Sequence, residues 1–198
     1  MVDDSSGATE TEDQWIKAAQ SGDRQAFDRL VEVHGPPVLR YLRGLCGSFA
    51  DGEDLTQETF CEAYRSLHGF RPPAFENMGS LRAWLLKIAY RCWLHGRRRK
   101  APLTLASPDA AADIAAPPYL AGPPDTGLEH AVRQGLARLP EEQREVFLLR
   151  FGEGLSHTEI AVITGCEPAT IRWRLFKARQ SLQHLLKEWS PTGTGKKS

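Results

Sequence analysis

The sequence predicts an all-α protein of two small helical domains joined by a flexible Pro/Ala-rich linker, and two observations carry that expectation. Apolar residues recur at helical spacing through residues 13–100 and again through 128–188, and residues 13–100 show no alternation of strands with helices. Between the two stretches, residues 101–127 place Pro102, Pro108, Pro117, Pro118, Pro123 and Pro124 among Ala and Gly, which excludes a continuous helix. Fully stretched, such a segment spans about 90 Å, and as a coil it averages about 30 Å. Residues 1–12 and 189–198 are polar ends, expected to be disordered.

The chain of 198 residues carries no formal net charge, yet its charges are segregated. The stretch through Asp13 holds Asp3, Asp4, Glu10, Glu12 and Asp13 with no Lys or Arg. Lys87–Lys100 holds Lys87, Arg91, Arg97, Arg98, Arg99 and Lys100 with no Asp or Glu. Neutrality is therefore a cancellation of patches. Cys46, Cys61, Cys92 and Cys166 lie far apart, with no paired spacing that marks a zinc site or a disulfide framework. The six histidines are scattered, and no nucleophile motif or phosphate-binding Gly loop is present, so neither catalytic residues nor a cofactor are expected. With no signal peptide pattern and no long apolar run, a soluble cytoplasmic protein is the expectation.

Taken in order, Trp15, Ile16 and Ala19 suit a first short helix. Asp23 can cap a second, with Phe27, Leu30 and Val31 on one face. Pro36-Pro37 is expected to break or kink that pattern before Val38, Leu39, Leu42 and Leu45 resume it as a third helix, which Gly47 stops. Asp51 opens a fourth helix with Leu55, Phe60, Ala63, Tyr64 and Leu67 mostly on one stripe. Its first turns carry Glu53, Asp54, Gln57 and Glu58. That acidity either complements the helix dipole or forms a docking surface for a basic partner helix.

Ser80 caps a fifth helix, in which Leu81, Trp84, Leu85, Ile88, Ala89 and Cys92 form a core stripe. Tyr90, Arg91, Trp93 and Arg97 fall partly off it and lead into the basic run. Rings interleaved with cations suit single-stranded nucleic acid, whose bases stack while Lys and Arg track phosphates; a basic helix C-terminus favoured by the dipole is the plainer alternative. After the linker, two helices at about 128–137 and 140–151 bury Val146, Phe147 and Leu149 beneath the C-terminal helices.

The last stretch, Gly154–Leu186, reads as two helices joined by a tight turn. Ser156 and Glu159 form a capping box, Gly165 ends the short helix, and Pro168 suits the first turn of the next. Ile171, Leu175, Ala178 and Leu182 line one face and Arg172, Arg174, Lys177 and Arg179 the other. This is the helix-turn-helix plan, whose second helix enters a major groove; a hairpin with a merely solvated basic face is the alternative.

In their order, these motifs resemble an extracytoplasmic-function sigma factor, the minimal class of bacterial transcription initiation factor. The segment DGEDLTQETFCEAYR is similar to the family's conserved region 2, SLRAWLLKIAY to the start of its downstream-element helix, and LPEEQREVFLLRFGEGLSHTEIAVITGCEPATIRWRLFKAR to region 4. The resemblance implies a first domain over 13–100 and a second over 128–188. Asp54, Leu55, Gln57, Glu58 and Phe60 would bind core RNA polymerase at the clamp helices of its largest subunit. Lys87, Tyr90, Arg91, Trp93, His95, Arg97, Arg98 and Arg99, with the loop Arg71–Gly79, would hold the minus 10 element and its non-template single strand. Ala169, Thr170, Arg172, Trp173, Arg174, Lys177 and Arg179 would read the minus 35 duplex, with region 4 also meeting the polymerase flap. An anti-sigma factor is a further implied partner; membrane insertion, metal and cofactor are not implied. The chain departs from the family pattern at Tyr90-Arg91 and His95, where an amide and a carboxylate are replaced, and at Trp173, where a small residue is usual. Two rival readings are a helix-turn-helix regulator of the response-regulator type, which needs an upstream receiver or ligand domain, and a sigma mimic that binds polymerase without reading DNA.

Overall fold

The computed structural model describes residues 11–71, 80–100 and 127–188, so the ends, most of the Arg71–Gly79 loop and the linker lie outside the described residues. Every regular element described is helical. Helix α1 (Glu12–Gln20) starts from a capping box between Thr11 and Gln14. Helix α2 (Arg24–Cys46) is capped by Asp23, whose carboxylate accepts from the Gln25 and Ala26 amides.

The break expected at Pro36-Pro37 does not occur: α2 runs through both prolines as one helix of 23 residues. Each proline removes a donor to the carbonyl four residues earlier, those of Glu32 and Val33. Both residues are exposed, so water can serve those oxygens. Leu30, His34, Val38, Tyr41, Leu42 and Leu45 meanwhile stay on one buried stripe against the neighbouring helices. Tertiary burial thus overrides the local penalty.

Helix α3 (Phe49–Ser66) begins two residues earlier than Asp51, capped by the Ser48 hydroxyl, and ends in a 3-10 turn at Leu67–Gly69. The Gln20 side chain donates to the Leu67 and Phe70 carbonyls at 3.0 and 2.7 Å, tying α1 to that turn. Helix α4 (Leu81–Lys100) starts from Ser80, whose hydroxyl accepts from the Ala83 amide. Trp84 packs against Phe70 in the core, as expected of its stripe.

In the second unit, α5 (Gly127–Arg138) and α6 (Glu141–Phe147) both pack beneath α8 (Pro168–Glu188). Helix α6 runs into a π turn at Leu148–Gly152 before α7 (His157–Thr164). The capping box at α7 forms as the sequence implies: the Glu159 amide donates to Ser156 Oγ at 3.2 Å, and the Ser156 amide to Glu159 Oε2 at 2.8 Å. Gly165 ends α7 at φ +69°, a left-handed conformation that L side chains rarely adopt. Ile160, Leu149 and Ile171 are fully buried where α7, the π turn and α8 meet.

The two units are packed on one another. Helix α4 lies against α7, and α2 lies against α6 and the π turn, so buried apolar residues of both units form one continuous cluster. Gly44 makes that approach possible: a Cβ there would stand 2.8 Å from Leu148 Cδ1 of the other unit.

Candidate polymerase and DNA surfaces

On α3 the acidic N-terminal turns form an open face. Asp54, Gln57 and Glu58 are exposed and Leu55 is half-buried. Phe60 is a correction to the expected contact set: it points into the core with Ala63 and Leu67, so it supports the helix from behind. Thr59 is also buried and donates its hydroxyl to the Leu55 carbonyl at 2.7 Å. Asp54, Leu55 and Glu58 border a cleft of about 630 Å³, whose other walls include Trp93 and Arg97 of α4 and Glu141 and Arg144 of α6.

On α4, Arg91, His95 and Arg98 are exposed and Lys87 is half-buried, whereas the Arg99 side chain lies outside the described residues. Tyr90 and Trp93 differ from expectation. They are only 7% and 4% exposed, their rings 5.6 Å apart, and the Arg97 guanidinium sits 5.1 Å from the Trp93 ring centre. The Tyr90 hydroxyl reaches Glu145 of the second unit, and Trp93 lines the cleft between α3, α4 and α6.

On α8, Arg172 and Arg179 are exposed with Ala169, and Thr170 and Lys177 are half-buried. Trp173 is 56% exposed, and Phe176 beside it on the same face is 61% exposed. Arg174 corrects the expected basic face: it turns inward, its side chain 14% exposed, and pairs with Glu142 at 2.8 Å and Glu145 at 3.1 Å. An arginine held by two carboxylates fixes α8 on α6 instead of meeting phosphate.

These surfaces occur in the order that the comparisons with known proteins also give. Residues 30–102 match the Sigma-70 region 2 family and residues 129–182 the Sigma-70, region 4 family. The RNA polymerase sigma-H factor of Pseudomonas aeruginosa is 31% identical over 90% of this chain and 97% of its own length. The ECF RNA polymerase sigma-E factor of Salmonella typhimurium is 30% identical over 85% of this chain and 91% of its own. The chain belongs to the extracytoplasmic-function sigma factors. Among solved structures, the sigma factor RpoE of Bartonella quintana, in complex with the anti-sigma factor NepR, superposes on this sigma factor with a TM-score of 0.64. It shares 28% identity over 82% of this chain and 98% of that one.

Within this sigma factor the contact between the region 2 and region 4 units also holds buried polar pairs. Glu153, just beyond the π turn, has a side chain only 1% exposed. It accepts from Arg40 of α2 through Nε at 3.1 Å and Nη2 at 3.2 Å, and from Arg82 of α4 through Nη2. Glu145 of α6 accepts from the Tyr90 hydroxyl at 3.1 Å and from Arg174 at 3.1 Å, and Arg97 pairs with Glu141. Burial pushes the Glu145 carboxyl up to about 7, against the opposing pull of the Tyr90 hydroxyl and Arg174. Burial, helped by Glu145, likewise raises the Tyr90 hydroxyl, which stays protonated as the donor. Burial lowers the Arg144 guanidinium beside the same cleft.

Sequence reasoning missed Glu153, Glu145, Arg40 and Arg82, because the partners lie 113, 71 and 55 residues apart and no local pattern announces them. Phe176 had a signal that went unused: it follows Trp173 by three residues and Arg172 by four, the spacing of one helix face. No described helix is long and apolar enough to cross a membrane.

Proposed function

We propose that this sigma factor, with domains over 13–100 and 128–188, binds core RNA polymerase through the α3 face of Asp54, Leu55, Gln57 and Glu58. It reads the minus 35 duplex with the α8 face of Ala169, Thr170, Arg172, Trp173, Lys177 and Arg179, to which Phe176 is added. It holds the opened minus 10 strand along α4 through Lys87, Arg91, His95, Arg97, Arg98 and Arg99, with Tyr90 and Trp93 joining once uncovered. The observation that carries this reading is the pairing, in a chain of this family, of an exposed acidic face on α3 with an exposed cationic and aromatic face on α8. The work is binding, without covalent chemistry, and it takes place in the cytoplasm. Phosphate contacts position region 4, and each good bidentate base contact contributes about 1–3 kcal/mol of discrimination. Base capture by region 2 offsets an unstacking cost of a few kcal/mol. By analogy with the RpoE complex, an anti-sigma factor is a proposed partner, and the polymerase flap is proposed to meet region 4.

Run-off transcription with purified core polymerase tests this. The wild-type chain is expected to direct discrete transcript starts. Asp54→Lys/Glu58→Lys is expected to abolish core binding and transcription without changing the melting temperature. Transcript starts no different from those of core alone would contradict the proposal.

A further inference from the structure

Phosphate contacts account for the cations of α8 but not for its exposed rings. Ile171, Leu175 and Ala178 supply the buried stripe of that helix, while Trp173 and Phe176 stand outside the core with more than half of their surface open. A third exposed ring joins them from another element. The π turn at Leu148–Gly152 presents Phe151, 45% exposed, beside α8; its ring lies 4.6 Å from that of Phe147 and 4.9 Å from the Arg179 guanidinium. Phe151 and Phe176 line one hollow of about 250 Å³ together with Leu175, Arg150, Arg172 and Arg179. Apolar walls and three guanidiniums therefore meet at one place on region 4.

The chemistry of these side chains narrows what they can meet. Helix α8 carries no Asp or Glu from Pro168 to Lys187, so its surroundings suit a polyanion. Exposed Trp and Arg also anchor protein partners, but a face without any carboxylate favours nucleic acid. Ala169, Arg172, Trp173 and Phe176 follow the i, i+3, i+4, i+7 spacing of one helix face, in the N-terminal half that a recognition helix lays against base edges. Phenylalanine has neither donor nor acceptor, and tryptophan has one donor, so the pair cannot read the paired donors and acceptors that mark the other bases. The apolar group that a major groove offers is the C5-methyl of thymine.

We propose that Trp173 and Phe176 are specificity-determining residues that read thymine methyl groups, so that this sigma factor selects a minus 35 duplex with thymines beneath the two rings. Phe151 backs Phe176 across the hollow, and the guanidiniums around it supply attraction that is independent of sequence. The proposal rests on the minus 35 role of α8 and adds to it the chemical feature that is read: a methyl group in the major groove, recognised by burial instead of hydrogen bonding.

The test uses the full chain assembled with core polymerase and a promoter fragment identified by run-off transcription. Each thymine of the minus 35 element, on either strand, is replaced in turn by deoxyuridine, which removes the C5-methyl and keeps every hydrogen-bonding group. Fluorescence anisotropy reads the affinity. Wild type is expected to lose about fourfold for each contacted methyl removed, the effect of exposing one buried methyl group. Trp173→Ala and Phe176→Ala are each expected to bind the thymine fragment less tightly and to be indifferent to deoxyuridine at the thymine that the lost ring covers. Phe176→Leu, which keeps an apolar side chain, should retain most of the sensitivity. Because both positions are exposed, thermal unfolding of these variants should match wild type. A minus 35 element with no thymine on either strand, an affinity unchanged by every deoxyuridine, or a loss that persists undiminished in both alanine variants overturns the proposal. Arg172→Ala separates that failure from failure of the minus 35 role: if it weakens promoter binding while deoxyuridine has no effect, α8 meets the duplex without reading methyl groups. If Arg172→Ala, Trp173→Ala and Phe176→Ala all bind as wild type does, the minus 35 role of this face is itself contradicted.

Discussion

Helices α4 and α8 are both long, cationic and aromatic, yet the fold treats them differently. On α8 the side chains proposed to meet DNA stand outward: Arg172, Trp173, Phe176 and Arg179 are exposed, and the arginine that is not, Arg174, locks the helix to α6. On α4 the aromatic residues stand inward, and Arg97 is already paired with a carboxylate of region 4. The difference fits the targets proposed for each helix. A duplex groove is always present, so its reader can stay exposed. A separated strand exists only after opening, and a cationic aromatic face left exposed would collect polyanions indiscriminately. In the proposed function, duplex contact comes first and strand capture second.

The sharpest way to separate scaffold from surface is within α8 itself. Ile171→Ala, at a fully buried position, is expected to cost about 2–5 kcal/mol of stability, seen as a lower melting temperature of region 4. Trp173→Ala, two residues on, should leave the melting temperature unchanged and weaken binding of a minus 35 duplex by the holoenzyme. Unchanged duplex binding would remove Trp173 from the reading face.

Arg172→Ala should lower holoenzyme affinity for the minus 35 duplex by about 1–3 kcal/mol if Arg172 contacts a base. If it contacts phosphate, the loss should be similar for all sequences, with the salt dependence reduced by about one unit of slope. Ser156→Ala, which removes half of the α7 capping box, is expected to cost about 0.5–2 kcal/mol, again read by thermal unfolding.

The covered helix α4 also carries a pH signature. Glu145 faces Tyr90 of α4, Arg174 of α8 and Glu142 of its own helix, with Arg97 nearby, and burial raises its carboxyl to about 7. A carboxyl raised in the packed form contributes stability that is fully present below its ordinary value and is lost as pH rises through about 7. The packed arrangement should therefore loosen as pH rises from 4.5, the ordinary carboxyl value, to about 7, visible as a rise in the radius of gyration. Glu145→Gln should flatten that dependence. The smallest effect belongs to Arg65→Ala: its pair with Glu62 is 3.6 Å long and largely exposed, so the change in stability should be within about 0.5 kcal/mol.

The features legible in the sequence were those whose physics is local. The Ser156–Glu159 box, the stop at Gly165, the cap at Ser80 and the entry at Pro168 each depend on residues within four positions, and each forms as expected. The Pro36-Pro37 rule is local too, but the buried stripe from Leu30 to Leu45 outweighs it. Tyr90, Trp93 and Arg174 carry the right residue types at exposed-looking positions of an amphipathic pattern. Glu145 holds the Tyr90 hydroxyl, and Glu142 and Glu145 hold Arg174, partners that no helical wheel of α4 or α8 contains. Phe60 was legible as core from its stripe, and only the family resemblance moved it to the contact set.

If α4 captures the opened strand as part of the assembled enzyme, the most direct test is anisotropy of a labelled non-template minus 10 oligonucleotide, titrated with the free chain and with the chain bound to core polymerase. The expected result is tight, sequence-dependent binding by the assembled enzyme and weak binding by the free chain. Equally tight, sequence-dependent binding by the free chain would contradict it.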